Sequence, residues 1–181
     1  MLTVEDGSIV TGADSFLSLT DARELALKYG ATLPEDDTEA EVTIRNGYIF
    51  LLQEEKNLQG NRVSDEQTGI FPREYVLKYC NELSDDVIPN EVKLAQLYAA
   101  DAINKGVSIN KFDDGQRLKS FSVDGVISET YQDGSSASTN PIIQGVENQL
   151  YPLTKAGLSA ANCGGIGGFG ELNANNLGFL G

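Results

Sequence analysis

Apolar residues recur at helical spacing in four stretches of this chain, and residues that start or stop helices bracket each one. Ser18 to Gly30 is the most compact: Ser18 suits an N-cap with Asp21 three residues on, and Gly30 suits the C′ position after Lys28. Ala22, Leu25, Leu27 and Tyr29 supply its apolar face. Pro34 and the acids Glu35, Asp36, Asp37, Glu39 and Glu41 then precede Ile44, Tyr48, Leu51 and Leu52, spaced i, i+4, i+7 and i+8. The spacing predicts a helix from about Thr38 to Glu55, with its acids matched to the positive end of the helix dipole. A third helix is predicted from Pro89 at N1 to Lys105, with Gly106 as its stop. Its stripe of Val92, Ala95, Ala99, Ala102 and Ile103 is narrow enough for another helix to approach closely, which makes this helix central. Between these two helices the chain is irregular, with a short helix expected at 73–80.

After Asp113-Asp114-Gly115 the period changes from helical to alternating. The runs 117–123 and 126–131 flank Asp124-Gly125, a strong short-range hairpin signal. A two-residue turn there would set Val123 opposite Val126 and Phe121 opposite Ser128. Asn140 and Pro141 then open a last helix carrying Ile142, Ile143, Val146, Leu150 and Leu153, which Pro152 ends or kinks. The fold class expected is mainly α: a small bundle of about four helices over residues 1–155, with a protruding β-hairpin at 117–131. An extended arm over 156–181 follows. Residues 164–181 of that arm hold seven glycines, one charge and six large apolar residues, namely Ile166, Phe169, Leu172, Leu177, Phe179 and Leu180. Glycine is costly to order, so such a segment needs a surface to hold it, either its own body or a neighbour.

Composition changes this picture in two ways. The 181 residues suit one domain, with 40% apolar and 22% charged residues, but the formal charge is −14. Residues 1–115 hold 22 acids and 10 bases, and the remainder 5 and 3, so the acidity belongs to the helical part. Tight binding to a polyanion draws on clustered Lys and Arg, and no cluster of five occurs. No run is long and apolar enough for a membrane span, and no secretory signal opens the chain. Cys80 and Cys163, 83 positions apart and without a paired motif, are expected to be free thiols in a reducing compartment.

Candidate chemistry is sparse. The absence of histidine removes the commonest general base and metal ligand, and with it the Ser-His and Cys-His nucleophiles. Gly165-Ile-Gly167-Gly-Phe-Gly170 matches a dinucleotide fingerprint formally, but no helix or strand can follow it in eleven residues. Asp113-Asp114-Gly115 lacks the spacing of a calcium loop. No catalytic, cofactor or metal site is therefore expected. What remains are recognition elements: the apolar arm, and the hairpin with Arg117, Lys119, Phe121, Val123 and Val126.

Taken in order, several segments resemble a family of tailed-bacteriophage proteins. They are the opening 1–7 with Ala13 to Ala22, the stretch Glu66 to Arg73 with Phe71 where the family usually has Trp before Pro-Arg, Ile88 to Gln96, and Tyr131 to Gly134 followed by Pro141 to Leu153. The family comprises head–tail connector proteins (adaptor, or head-completion, proteins), whose relatives are also labelled DnaT-like single-stranded-DNA-binding proteins. The resemblance implies a virion structural protein, made in the bacterial cytoplasm and without catalysis, that forms a homo-oligomeric ring, commonly of twelve, beneath the portal protein. In that setting the arm would dock on the portal, the hairpin would join neighbours or meet tail and nozzle proteins, and an acidic channel would pass double-stranded DNA without binding it. The other label implies an accessory protein binding single-stranded DNA in phage replication. That function needs basic residues beside aromatic platforms.

Overall fold

A computed structural model describes residues 1–109 and 141–161, and the backbone of strands 121–123 and 127–129. Among the described residues the fold is mainly helical, with five α-helices and a small β-hairpin. Helix α1 (Leu19–Tyr29) starts at Ser18, whose hydroxyl accepts from the Asp21 amide, and stops at Gly30 in the left-handed region. Helix α2 (Asp37–Leu52) is capped by Asp36, whose carboxylate accepts from the amides of Thr38 and Glu39, so one of the clustered acids serves as a cap. Helix α3 (Asn90–Asn104) follows Pro89 and lies between α2 and α4 (Gln144–Leu150), the central position its small-residue stripe predicts.

The core runs along α3. Val92, Ala95, Ala99 and Ala102 are buried with Tyr48, Leu51 and Phe71 in one cluster, and Ala22, Ala26, Ile44 and Leu97 form a second under α1. Two buried polar residues of α3 tie the loops to it. Gln96 accepts from the Phe16 amide at 2.8 Å and donates to Ser15 Oγ at 2.9 Å and the Ile44 carbonyl at 3.0 Å. Asp101 accepts from the Thr32 amide and hydroxyl and from Lys105 Nζ. Leu27, grouped by sequence with the apolar face of α1, is instead 88% exposed; Ala22 and Ala26 carry that face.

Three sequence expectations change. Residues 73–80 form no helix: β1 (Asn61–Arg62) pairs with β2 (Arg73–Glu74), and β3 (Leu77–Lys78) pairs with β4 (Asn81–Glu82). Tyr75, Tyr79 and Cys80 all adopt positive φ, which breaks any helix there. In the later hairpin, β5 (Phe121–Val123) pairs with β6 (Ile127–Glu129), Val123 opposite Ile127 and Phe121 opposite Glu129. Three residues rather than two separate the closing pair, which shifts the register by one from the expected pairing. The last helix breaks into α4, a 3-10 turn at Tyr151–Leu153 that accommodates Pro152, and α5 (Lys155–Ala160). Thr154 caps α5 by accepting from the Gly157 amide, so residues 156–160, expected to begin the arm, are helical. No described helix is long and apolar enough to cross a membrane.

Candidate nucleic-acid interface

Where α2 ends, a 3-10 turn (Glu55–Asn57) places Glu55 between two arginines. Pairing of β1 with β2 sets Arg62 opposite Arg73. Arg62 grips the Glu55 carboxylate with both faces of its fork, at 2.7 and 2.6 Å, and Arg73 adds a bond at 3.1 Å. Arg73 is only 5% exposed, and it also donates to the carbonyls of Gln59 and Gly60, both at 2.7 Å, and of Ile70 at 3.3 Å. Gly60 is fixed as glycine by a positive φ and by the Glu74 carbonyl, which would lie 1.9 Å from any Cβ. The Arg62 hydrogen bonds hold the Glu55 carboxyl below its usual range, and those of Arg73 act the same way. Burial lowers Arg73, yet a guanidinium so lowered remains charged at neutral pH.

The consequence for acid stability follows from the direction of the Glu55 shift. A carboxyl lowered by folding stabilises the protein above its unfolded value, about 4.5, and that contribution is lost as pH falls through the folded value. Glu55→Gln is therefore expected to cost about 2 kcal/mol at neutral pH. It should also lose less further stability than the parent below pH 4.5, as read by urea unfolding across pH. Parallel acid limbs for the two proteins would refute the assignment.

Gln59 carries the hub's order to the C-terminal turn. Its side chain donates to the carbonyls of Pro152 and Thr154 at 3.2 and 3.0 Å and accepts from the Leu77 amide at 2.9 Å. Its amide donates to the Leu153 carbonyl, and Leu58 bridges Thr154. One buried side chain thus joins the 3-10 turn, β3 and the segment entering α5. Lys155, the first residue of α5, reaches back to the Lys56 carbonyl at 3.0 Å.

Between these pieces lies an open cavity of about 420 Å³, lined by Glu54, Lys56, Glu147, Leu150, Tyr151 and Lys155 among others. Lys56 and Lys155 are exposed and make no ion pair among the described residues, whereas Arg23, Arg45, Arg62, Arg73, Lys78 and Lys105 are each held by a carboxylate. Tyr151 is 50% exposed at the same rim. Burial, and secondarily the Glu54 carboxylate, push the Glu147 carboxyl up, so this wall gives up its charge more readily than an ordinary glutamate. Two ammonium groups without ion pairs among the described residues, that of Lys155 spending one hydrogen bond on the Lys56 carbonyl, thus stand beside an accessible ring and an apolar floor, the combination that a phosphate and a base together require.

Phe121 and Val123 stand in β5, while Arg117, Lys119 and Val126 of the hairpin fall outside the described residues. So do the arm residues Ile166, Phe169, Leu172, Leu177, Phe179 and Leu180. Sequence reasoning missed Lys56, Tyr151, Lys155 and Gln59; only the Phe71-Pro72-Arg73 stretch pointed toward this region, and all three of its residues are buried. Cys80 corrects the free-thiol expectation, since it is disulfide-bonded. Among the described residues, no three His, Cys, Asp or Glu side chains are grouped to hold a metal ion.

No curated protein matches the chain, and no solved structure matches it. Of the two labels that the family resemblance carried, the family comparison returns the single-stranded-DNA one. Residues 1–166 match the family described as "Putative DnaT-like ssDNA binding protein", and with nearly its whole length covered the chain belongs to that family.

Proposed function

We propose that this protein is an accessory factor that binds single-stranded DNA, and that the cavity between the Glu55–Asn57 turn and α5 is where the strand is held. The observation that carries this is the pairing of Lys56 and Lys155, two exposed cations without carboxylate partners among the described residues, with the accessible ring of Tyr151. Family membership supports the same ligand class. Elsewhere the acidic surface repels phosphates, which confines binding to this face and keeps it modest. Lys56→Ala/Lys155→Ala is expected to weaken binding to a fluorescent oligo(dT) about tenfold. It should also flatten the dependence on log salt by about 1.4, since each single-strand phosphate contact contributes about 0.7. Affinity rises as pH falls toward the raised Glu147 value, because protonation there removes a repelling charge. Failure of the parent protein to bind oligo(dT) at low salt overturns the proposal.

A second reading is favoured by the charge balance. A net charge of −14, with six cations consumed by carboxylates, suits a wall that lets duplex DNA slide past. In that reading the chain is a head–tail adaptor in the virion: a ring of about twelve copies below the portal protein, contacted by tail or nozzle proteins and without catalysis. Sedimentation of the purified chain, and its co-assembly with purified portal rings, separate this reading from the first. A monomer that ignores portal rings rules the second reading out.

A further inference from the structure

Two exposed tyrosines flank β3 in a backbone conformation that tyrosine seldom takes. Tyr75 has φ 60° and is 59% exposed, and Tyr79 has φ 49° and is 66% exposed. Tyr79 and Cys80, with φ 49° and 64°, form the two-residue link between the paired Lys78 and Asn81. Such a turn requires positive φ at both positions, and Asn-Gly meets that demand without strain. A bulky aromatic there is poorly suited to the turn itself, and exposure rules out a packing role for most of its ring. Strain retained at an exposed side chain points to a use for that side chain.

We propose that the Tyr79 ring is a stacking platform for a base, and that a strand held in the Lys56–Lys155 cavity continues along α5 to reach it; this rests on the single-strand-binding reading above. The turn is pinned at the far end of α5 from the cavity. Cys80 is disulfide-bonded with its Sγ 4.0 Å from the Ala161 carbonyl, and Asn81 Nδ2 donates to the Tyr79 carbonyl at 3.1 Å. At the other end of β3, the Leu77 amide is held by Gln59, the residue that also binds Pro152 and Thr154 at the cavity. The six residues of α5 span about 9 Å, which a bound strand of about 4 to 16 nucleotides readily covers. Lys78 Nζ lies 5.8 Å from the Tyr79 ring centre while Glu91 holds it by an ion pair at 2.6 Å. The cation therefore enriches the platform without being available as an independent phosphate contact.

The test compares a labelled oligo(dT) with an abasic oligomer of equal length, which keeps the phosphates and lacks the bases. Tyr79→Asn retains a residue that tolerates the left-handed region. It is expected to weaken oligo(dT) binding on the order of tenfold and leave abasic binding unchanged, whereas Tyr79→Phe keeps both. Lys56→Ala/Lys155→Ala should weaken both oligomers alike. Ultraviolet cross-linking of oligo(dT) to the unmodified protein, which does not depend on any variant folding, should label the tryptic peptide carrying Tyr79. Unchanged oligo(dT) binding by Tyr79→Asn, or cross-links confined to other peptides, overturns the platform while leaving the cavity reading intact. A parent protein that binds neither oligomer overturns both.

Discussion

Gly47→Leu is expected to destabilise the protein by at least about 3 kcal/mol and to lower its thermal midpoint on the order of 10 °C. Gly47 sits in α2 where that helix crosses α3, and a Cβ there would stand 2.7 Å from the Gln96 carbonyl and 3.1 Å from the Ala100 amide nitrogen. Both atoms are helix backbone, so neither can swing aside as the end of a long side chain would. Relief requires the two helices to separate, which loosens the alanine stripe of α3 along its length. It also strains the bonds from the Gln96 side chain to Phe16, Ser15 and Ile44, which anchor the N-terminal segment. Gly47→Ala meets the same contacts with one carbon and recovers about 1 kcal/mol of helix propensity, so a net loss of about 1–2 kcal/mol is expected. Urea unfolding followed by helical circular dichroism measures both. Equal midpoints for the parent and the leucine variant would show that α2 and α3 do not approach this closely.

The stripe of α3 that admits a close neighbour was legible in the sequence because it is local, whereas its partner, α2 at Gly47, was not. The spacing of Val92, Ala95, Ala99 and Ala102 lies in one helix, and the cap and stop residues Ser18 and Gly30 act within a few positions. The stretch from Arg73 to Cys80 was not legible. Its conformation is set by left-handed residues that are neither glycine nor asparagine, and by a guanidinium bonding carbonyls thirteen and fourteen positions earlier. The break at Pro152 was visible, but its sequel was not. Residues beyond a proline restart a helix only if something caps them, and Thr154 does so in a turn held by Gln59.

The candidate site was harder still, for the same reason of distance. Lys56 and Lys155 stand 99 positions apart and meet only because Leu58 bridges Thr154 and because Lys155 reaches the Lys56 carbonyl. Neither lysine has a charged neighbour pattern that marks it. A net charge of −14 hides four cations without an ion pair among the described residues, Lys28, Lys56, Lys93 and Lys155, of which Lys56 and Lys155 meet at one cavity. Counting charges along the chain therefore argued against nucleic acid, while counting ion pairs in space among the described residues brings out the Lys56–Lys155 cavity that the proposed function uses.

Arg73→Ala should cost about 3–5 kcal/mol, the largest single loss expected among these side chains. The substitution leaves the carbonyls of Gln59, Gly60 and Ile70 without their donor, two of these bonds being buried and the Gly60 one part-buried, and removes one of the two arginines on Glu55. Arg73→Lys is no substitute. One ammonium cannot reach the Gln59 and Gly60 carbonyls and Glu55 with the geometry of a planar fork, so about half of the loss should remain. Because Arg62 keeps its two bonds to Glu55, Arg62→Ala and Arg73→Ala should couple strongly in a double-mutant cycle. The damage has a direction as well as a size. Gln59 is the first residue freed, and it carries Leu77 on one side and Pro152 with Thr154 on the other. Hydrogen exchange in Arg73→Ala should therefore accelerate at the Leu77 amide, which donates to the Gln59 side chain, and at the Gln59 amide, which donates to the Leu153 carbonyl, before it does along α3. Equal protection at those amides in parent and variant would mean that the cavity wall is held by packing alone, and that Arg73 acts only on its own strand.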